Sequence, residues 1–239
     1  MHLRAGTSGF AYREWRGKFY PADLPPKGML SFYAARFPAV EINATFYRMP
    51  TVRTLEGWSA EVPPEFRFAF KAPALITHRR RLRGAGADTA EFLNRLSVLG
   101  GRLGPVLFQL PPNLPVDIPL LGEFLSSLPD MKTAFEFRHP SWLVEDVFDL
   151  LRRKGAALCI SDRDDAPDPP VVATAEVGYL RLRRSGYTEE ELQKWRETIA
   201  GQPWEEAFVF FRHEETAAGP RLAAELERAF ETSRHRGRK

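Results

Sequence analysis

The chain has 239 residues, with 34 Lys and Arg against 31 Asp and Glu, a formal net charge of +3, and 44% hydrophobic residues. This profile is typical of a globular protein and excludes a fibrous or largely disordered chain. Cys159 is the only cysteine, so an intramolecular disulfide is excluded. The sequence has neither the apolar core of a signal peptide nor an apolar run of about 20 residues, so we expect a cytoplasmic protein with no membrane contact.

Positive charge is concentrated in the first half of the chain. Residues 1–120 carry 16 Lys or Arg and nine Asp or Glu, whereas residues 121–239 carry 18 and 22. A run of four arginines lies within residues 79–83. Clustered cations either attract polyanions or form a solvated surface. We expect residues 1–232 to form one domain and the basic residues 233–239 to form a disordered tail.

Short apolar runs alternate with segments of helical character. The predicted strands are Leu3–Gly6, Ala39–Ile42, Phe66–Lys71, Val106–Leu110, Thr133–Phe137, Ala156–Ser161, Tyr179–Arg183 and Ala207–Phe211. The predicted helices are Gly28–Arg36, Thr51–Ala60, Asp88–Leu99, Ile118–Leu128, Leu143–Lys154, Thr188–Ala200 and Thr216–Phe230. Asp88 with Glu91, and Thr188 with Glu191, have the spacing of a capping box.

Strand–helix alternation indicates an α/β fold with a parallel sheet. Eight strands in a chain of this length favour a single (β/α)₈ TIM barrel. A doubly wound sheet is the alternative, but no G-x-G-x-x-G or G-x-x-x-x-G-K-[ST] motif supports it. Residues 162–178 contain three prolines, which predicts an irregular sixth βα connection.

Polar residues recur at one parity near the C-terminal ends of the predicted strands, where a TIM barrel builds its functional face. They are Glu41, Lys71, Glu136, Arg138, Arg181 and Arg183. A charge in an apolar strand is costly unless it is paired or faces a wet cleft. The pattern therefore predicts a polar barrel mouth or, alternatively, structural ion pairs such as Glu136 with Arg181.

These residue types allow three functions. Lys71 and the arginines suit phosphate, because guanidinium groups bind phosphate oxygens in bidentate geometry. Alternatively, Glu41 and Glu136 would be acid and base of a metal-independent hydrolase or lyase on a small sugar-like or phosphorylated substrate, with Lys71 as electrostatic stabiliser. A non-catalytic interaction module is the third possibility. Neither a metal ligand set nor a cofactor is expected, since no metal-binding spacing is present.

Aromatic and basic residues are interleaved after the first predicted strand. The aromatic residues are Phe10, Tyr12, Trp15, Phe19 and Tyr20, among Arg13, Arg16 and Lys18. Such rings stack on bases or sugars when exposed. Alternatively, they pack the loops onto the top of the barrel.

Six motifs occur in order along nearly the whole chain. They are GTSGFAYREWRGKFYP (6–21), FPAVEINATFYRMP (37–50), FRFAFKAPALITH (66–78), GPVLFQLPP (104–112), FEFRHPSW (135–142) and CISD (159–162). Together they resemble the domain of unknown function family 72, also called the YecE-like family. The resemblance implies a TIM barrel and brings no established reaction. Similarity of that barrel to endonuclease-IV-like enzymes makes nucleic acid a candidate partner.

The resemblance implies a shared pattern at fifteen positions. They are Thr7, Ser8, Glu41, Asn43, Thr45, Phe46, Tyr47, Lys71, His78, Gln109, Glu136, Arg138, His139, Trp142 and Asp162. Arg183 departs from the pattern, standing where the family's Y-x-R-x-H-G has a histidine. The family's F-x-N is replaced by Phe211, Arg212 and His213. These changes either alter or abolish the family's function, or they sharpen the binding of an anion.

We therefore predict a cationic cleft that binds a phosphate-containing small molecule or nucleic acid. The candidate catalytic residues are Glu41, Glu136, Lys71 and Asp162. The candidate ligand-binding residues are Thr7, Ser8, Asn43, Tyr47, His78, Gln109, Arg138, His139, Trp142, Arg181 and Arg183. The sequence determines neither the ligand, nor whether the protein is an enzyme, nor its oligomeric state.

Overall fold

Eight parallel strands close into a barrel in the order of the chain, and the last strand pairs with the first. The computed structural model describes residues 1–212 and 217–236, with side chains as far as residue 230. The strands are β1 (His2–Ser8), β2 (Ala39–Ile42), β3 (Arg67–Lys71), β4 (Leu103–Gln109), β5 (Thr133–Glu136), β6 (Ala157–Ser161), β7 (Val177–Leu182) and β8 (Glu206–Phe211). This architecture confirms the predicted TIM barrel.

Helices follow seven of the eight strands. They are α1 (Met29–Ala34), α2 (Val52–Glu61), α3 (Gly86–Leu96), α4 (Ile118–Ser127), α5 (Glu145–Lys154), α6 (Glu189–Ala200) and α7 (Ala218–Arg236). Residues 162–176, between β6 and β7, contain neither a helix nor a strand. Their prolines fix the backbone and lack the N–H that a helix needs, so the irregular sixth connection is confirmed.

The two predicted capping boxes have different outcomes. Thr188 caps α6: its side chain accepts a hydrogen bond from the Glu191 N–H, and Glu191 accepts from the Thr188 N–H. The box predicted at Asp88 is wrong, because α3 begins two residues earlier, at Gly86. The Asp88 carboxylate instead pairs with Arg80 at 2.5 Å.

The barrel interior is filled unevenly. Alanines on β2, β3, β5 and β6 face larger side chains, mainly on β7 and β8. This cluster is Ala39, Ala69, Leu107, Ala134, Ala157, Cys159, Tyr179, Phe208 and Phe210. Cys159 is buried within it, and burial raises the pKa of its thiol well above the ordinary value. The interior is therefore a packed core, and the space for a ligand lies above it.

The last helix, α7, continues to Arg236 and so includes residues 233–236 of the expected tail. Residues 213–216, which contain His213, and residues 237–239 lie outside the described residues. Within the described chain, no helix combines the length and the apolar character needed to cross a membrane.

Candidate functional site

A cavity of about 450 Å³ opens at the C-terminal ends of the strands. It is lined by Ser8, Asn43, Phe46, Tyr47, Lys71, His78, Gln109, Arg138, Arg181, Arg183 and Arg212. Nine of these are predicted site residues; Phe46 and Arg212 complete the lining. Glu41 and Glu136 lie beside the cavity, in contact with Arg181 from its lining. The cavity volume falls in the range of small-ligand sites.

The strand register brings polar side chains together in pairs. Ser8 on β1 lies opposite Glu41 on β2, and Gln109 on β4 lies opposite Glu136 on β5. Because neighbouring residues in a parallel register face the same side of a sheet, each pair faces the interior. The Ser8 hydroxyl donates to Glu41 at 2.7 Å, and the Gln109 amide donates to Glu136 at 2.8 Å.

Arg181 lies between two carboxylates, and we call Glu41, Arg181 and Glu136 the inner layer. Arg181 Nη2 donates to Glu41 Oε1 at 2.9 Å, and Arg181 Nε lies 2.9 Å from Glu41 Oε2. Arg181 Nη1 donates to Glu136 Oε2 at 2.6 Å. The exposed fraction of the side chain is 0% for Glu41, 2% for Arg181 and 3% for Glu136. The predicted alternative of a structural Glu136–Arg181 ion pair therefore describes this layer.

Further donors saturate both carboxylates. Glu41 also accepts hydrogen bonds from Asn43 Nδ2 at 2.9 Å and from the Tyr179 hydroxyl at 2.8 Å. Glu136 also accepts from Arg138 Nε at 3.2 Å. A buried carboxylate that accepts several hydrogen bonds and faces a guanidinium stays ionised.

The pKa values of the two carboxyl groups follow from these contacts. Burial by itself raises both pKa values. The charge of Arg181 and the donated hydrogen bonds outweigh burial, so the pKa of Glu41 is lowered and that of Glu136 is lowered strongly. Neither group holds a proton at neutral pH. The two carboxylates bind one guanidinium and are therefore close together, but neither has the proton that a general acid must donate.

Four cations stand above the inner layer, and we call Lys71, Arg138, Arg183 and Arg212 the outer layer. Each follows an inward-facing residue of its own strand by two positions, so it lies nearer the cavity opening. Arg138 contacts Glu136 of the inner layer. Among the described residues, no carboxylate lies within the ion-pairing distance of 4.0 Å from Lys71 or Arg183. The outer layer therefore carries positive charge that the inner layer does not neutralise.

Lys71 lies at the end of β3 beside an aromatic ring. Its Nζ is 3.8 Å from the centroid of the Phe46 ring, a cation–π contact. Burial and the neighbouring charge of Arg181 lower the pKa of Lys71 to about 8, against the opposing effect of Glu136 and Glu41. Burial likewise lowers the pKa of Arg183 to about 10, with Arg181 contributing. In both cases burial is the largest cause, Arg181 adds to it, and Glu136 and Glu41 offset only part of the shift.

Two short turns complete the rim of the cavity. The 3₁₀ turn Ala44–Phe46 is fixed by the Thr45 hydroxyl, which donates to the Lys71 carbonyl at 2.6 Å. The next residue, Tyr47, is 86% exposed. His78 comes from the π-helical turn Leu75–Arg79, and its ring packs edge-on to Phe46 at 4.8 Å. Burial, with Lys71 and Arg138, lowers the pKa of His78, so its imidazole is neutral at pH 7.

Besides Glu41 and Glu136, four predicted site residues do not line the cavity. Thr7 donates to the Gly9 carbonyl at 2.6 Å, and Trp142 Nε1 donates to the Leu114 carbonyl at 2.7 Å. His139 Nδ1 accepts from the Ser141 N–H at the start of the turn Pro140–Trp142. Through these hydrogen bonds with the backbone, the three side chains fix the loops around the cavity opening.

Asp162 is the fourth. It is fully buried after β6 and accepts hydrogen bonds from the Arg183 N–H at 2.6 Å and from the Tyr187 hydroxyl at 2.7 Å. Burial raises the pKa of its carboxyl group, against the effect of these donors. Asp162 thus fixes the backbone that carries Arg183 to the cavity.

Three residues of the site, Phe46, Tyr179 and Arg212, were absent from the predicted set, and strand parity points to the last two. Tyr179 precedes Arg181 by two positions and binds Glu41. Arg212 follows Phe210 by two positions and reaches the cavity. The alternation of inward-facing residues predicts Tyr179 two positions before Arg181 and Arg212 two positions after Phe210.

The other predicted basic and aromatic features are largely accounted for by internal contacts. Arg80 pairs with Asp88, and Arg83 pairs with Asp117 at 2.7 Å. Trp15 and Tyr20 are buried and pack against aromatic neighbours. The alternative that these rings pack the loop onto the barrel therefore describes Trp15 and Tyr20. The described residues hold no group of three or more His, Cys, Asp or Glu side chains that could bind a metal.

Comparison with known proteins gives relatives whose names carry no activity. The UPF0759 protein YecE of Escherichia coli K12 is 38% identical over 118 residues, 48% of this chain and 43% of YecE, so the match spans less than half of that relative. The UPF0759 protein YunF of Bacillus subtilis is 25% identical over 210 residues, 81% of this chain and 73% of YunF.

Solved structures share the barrel. The DUF72 family protein TM1631 of Thermotoga maritima superposes with a TM-score of 0.85 at 27% identity, covering 97% of this chain and all of that one. EF0366 of Enterococcus faecalis gives a TM-score of 0.77 at 18% identity, covering 96% and 95%, and supports the fold alone. A family model described as a protein of unknown function, DUF72, matches residues 4–238. The chain therefore belongs to the DUF72 family.

Proposed function

We propose that the barrel mouth binds a small phosphate-containing ligand. The observation that carries the proposal is the uneven distribution of charge in the cavity. Arg181 and Arg138 neutralise the two carboxylates, whereas Lys71 and Arg183 face the same cavity with no carboxylate within 4.0 Å among the described residues. A dianionic group entering there would supply the missing counter-charge and would accept charge-assisted hydrogen bonds.

The position of the arginines supports phosphate in particular. Arg183 follows β7 and Arg212 follows β8, and both line the cavity. The loops after strands seven and eight are a frequent phosphate-binding place in TIM barrels. Guanidinium groups match phosphate oxygens in a planar, bidentate geometry. The guanidinium geometry fits a carboxylate equally well, so the position of the arginines after β7 and β8 is what favours a phosphate as the bound group.

The size of the cavity favours a small molecule over a polymer. A volume of about 450 Å³ suits a sugar phosphate or a similar ligand. The exposed ring of Tyr47 beside the cavity offers a stacking surface for a base or a sugar. Against a nucleic acid, Trp15 and Tyr20 are buried, so these two rings offer no stacking surface for bases.

The inner layer gives Glu41 and Glu136 a positioning role in this proposal. They hold Arg181 and, through it, the floor of the cavity. The rival proposal, a hydrolase or lyase that uses the two as acid and base, requires one of them to be protonated near neutral pH. The low pKa values of both groups count against that rival.

Titration with inorganic phosphate, at several salt concentrations, tests the proposal. We expect saturable binding that weakens as salt rises, because surface charge is screened. Arg183→Gln should weaken binding about tenfold. Arg95→Gln, on the outer helix α3, is the matched control and should leave binding unchanged. Absence of binding at low salt would contradict the proposal.

Oligonucleotides distinguish the two sources of phosphate. Single- and double-stranded DNA and RNA are titrated against the same variants. Binding much tighter than that of inorganic phosphate, and lost in Arg183→Gln, would identify nucleic acid as the ligand. Oligonucleotide binding that is weak and insensitive to Arg183→Gln would leave the small phosphate ligand as the better description.

A further inference from the structure

Lys71 has the surroundings of a nucleophilic amine. It lies in the cavity at the end of β3, with its Nζ over the Phe46 ring and no carboxylate of the described residues within 4.0 Å. A lysine becomes nucleophilic when burial and neighbouring cations favour its neutral form. Burial and Arg181 have this effect on Lys71, whose pKa falls to about 8. A purely structural lysine would be expected to pair with an acid.

The phosphate-binding side of the mouth faces Lys71 from across the barrel. In a closed barrel of eight strands ordered β1 to β8, β7 lies four strands from β3, which is the opposite side of the ring. Arg183 follows β7, and Arg212 follows β8. A ligand that spans the mouth would therefore place one end at the arginines and its other end at Lys71.

We propose that Lys71 forms a covalent imine with the carbonyl carbon of a small phosphorylated aldehyde or ketone, whose phosphate is bound by Arg183. This inference rests on the proposed phosphate site and adds the substrate class and the reacting atom. It gives Lys71 a catalytic role and leaves Glu41 and Glu136 as positioning residues.

The step is balanced without an oxidant or a reductant. The lone pair of the neutral Lys71 nitrogen attacks the carbonyl carbon, and the C–O π electrons move to oxygen, which takes up a proton. The attacking nitrogen loses one proton to give the neutral carbinolamine. The hydroxyl group of the carbinolamine then takes up a proton and leaves as water while the nitrogen lone pair forms the C=N bond, and the resulting iminium loses its N–H proton to give the imine. The net change is amine plus carbonyl to imine plus water.

His78 can move the proton in this step. Its neutral imidazole lines the same cavity, and its ring contacts Phe46, the residue that Lys71 also contacts. Its Nδ1 lies 2.9 Å from the Thr77 hydroxyl, which fixes the ring. A neutral histidine accepts a proton near pH 7 more readily than the ionised, fully bonded carboxylates of the inner layer.

Reductive trapping tests the imine directly. The whole chain is incubated with glycolaldehyde phosphate and cyanoborohydride, and the labelled lysine is located by peptide mass spectrometry. We expect a phosphoethyl group on Lys71, formed about tenfold or more faster than on the exposed Lys27, since Lys71 is more often neutral. The rate should rise with pH through about 8.

Matched variants show whether Lys71 acts as a nucleophilic amine or only as a positive charge. Lys71→Arg keeps the positive charge but has no nucleophilic amine, so labelling at this position should vanish while inorganic phosphate still binds. Lys27→Arg is the control and should leave labelling of Lys71 unchanged. Arg183→Gln should slow labelling by glycolaldehyde phosphate about tenfold and leave labelling by unphosphorylated glycolaldehyde unchanged.

The outcomes distinguish this inference from the proposed function. Equal labelling of Lys71 and Lys27, with normal phosphate binding, would overturn the imine and leave the phosphate site intact. Fast labelling of Lys71 by both aldehydes, with no effect of Arg183→Gln and no competition by phosphate, would overturn the phosphate site and the assigned substrate class.

Discussion

The inner and outer layers of the barrel mouth contain similar residues and differ in what their charges do. In the inner layer, Arg181 binds two buried carboxylates, and Arg138 supplies the second positive charge through its contact with Glu136, so both carboxylates are neutralised within the fold. In the outer layer, two positions farther along the strands, Lys71 and Arg183 have no such partner among the described residues. A charge that the fold neutralises holds the structure together. A charge that the fold leaves unneutralised beside a cavity indicates a ligand.

The comparison predicts its largest effect for Arg181→Met. Removal of the guanidinium leaves the buried Glu41 without an ion pair and Glu136 with Arg138 alone, which should cost about 3–5 kcal/mol of the free energy of unfolding. The matched change Arg183→Met in the outer layer should cost far less. Urea denaturation followed by circular dichroism measures both. Adding Glu41→Gln and Glu136→Gln to Arg181→Met should restore part of the loss. If Arg181→Met and Arg183→Met lowered the free energy of unfolding by similar amounts, the two layers would not differ in their contribution to stability.

Asp162 links the protein interior to the outer layer. Asp162→Ala removes the acceptor of the buried Arg183 N–H and should cost about 1–3 kcal/mol. Phosphate binding should weaken as well, because the backbone that positions Arg183 loosens. Asp162→Asn keeps one acceptor oxygen and should lose less of both. Denaturation and phosphate titration are measured on the same samples. Loss of stability with unchanged phosphate binding would show that Asp162 acts on the fold alone.

Acid should weaken the inner layer. The folded-state pKa values of Glu41 and Glu136 lie below their unfolded values, so their contribution to stability is complete above about pH 4.5 and is lost as pH falls. Each carboxylate adds up to about 1.4 kcal/mol per pH unit to the slope of the unfolding free energy against pH. Glu136→Gln should reduce that slope, measured by urea denaturation between pH 5 and pH 3, by up to one such amount. An unchanged slope would contradict the assignment.

The smallest effect on stability is expected in the outer layer. Arg183→Gln removes a cation that no described carboxylate neutralises, so the free energy of unfolding should stay within about 0.5 kcal/mol of the parent value. The same variant should bind phosphate about tenfold more weakly. Thermal denaturation with and without phosphate gives both quantities. A clear loss of stability without phosphate would mean that Arg183 also supports the fold.

Strand parity and motif order predicted the barrel and most of the cavity. The alternation that places Glu136 and Arg138, or Arg181 and Arg183, on one side of a strand is a local property, since successive side chains point to opposite faces. The prolines after β6 likewise act locally, and they predicted the irregular connection. Parity could not tell Glu136 from Arg138 in role, because both face inward.

The sequence assigned the wrong role to three residues, because their roles depend on contacts outside their own motif or helix. The helix start at Gly86 displaced the predicted cap at Asp88, whose carboxylate pairs with Arg80 instead. Trp142 and Asp162, predicted to be in the site, are buried and bonded to neighbouring backbone. Their motifs mark them as part of a pattern, but a motif does not show whether a side chain faces the cavity or supports its wall.

The amino-acid sequence by itself determined the strand–helix alternation, the inward parity of the charged residues and the membership of the chain in its family. Those features depend on short-range periodicity and residue order, which the sequence contains directly. Only the tertiary structure decided that Arg181 binds both Glu41 and Glu136, and that Lys71 and Arg183 lie across the mouth from each other without such partners. The net charge of +3 cannot show this, because pairing depends on distances of a few ångströms between residues far apart in the chain.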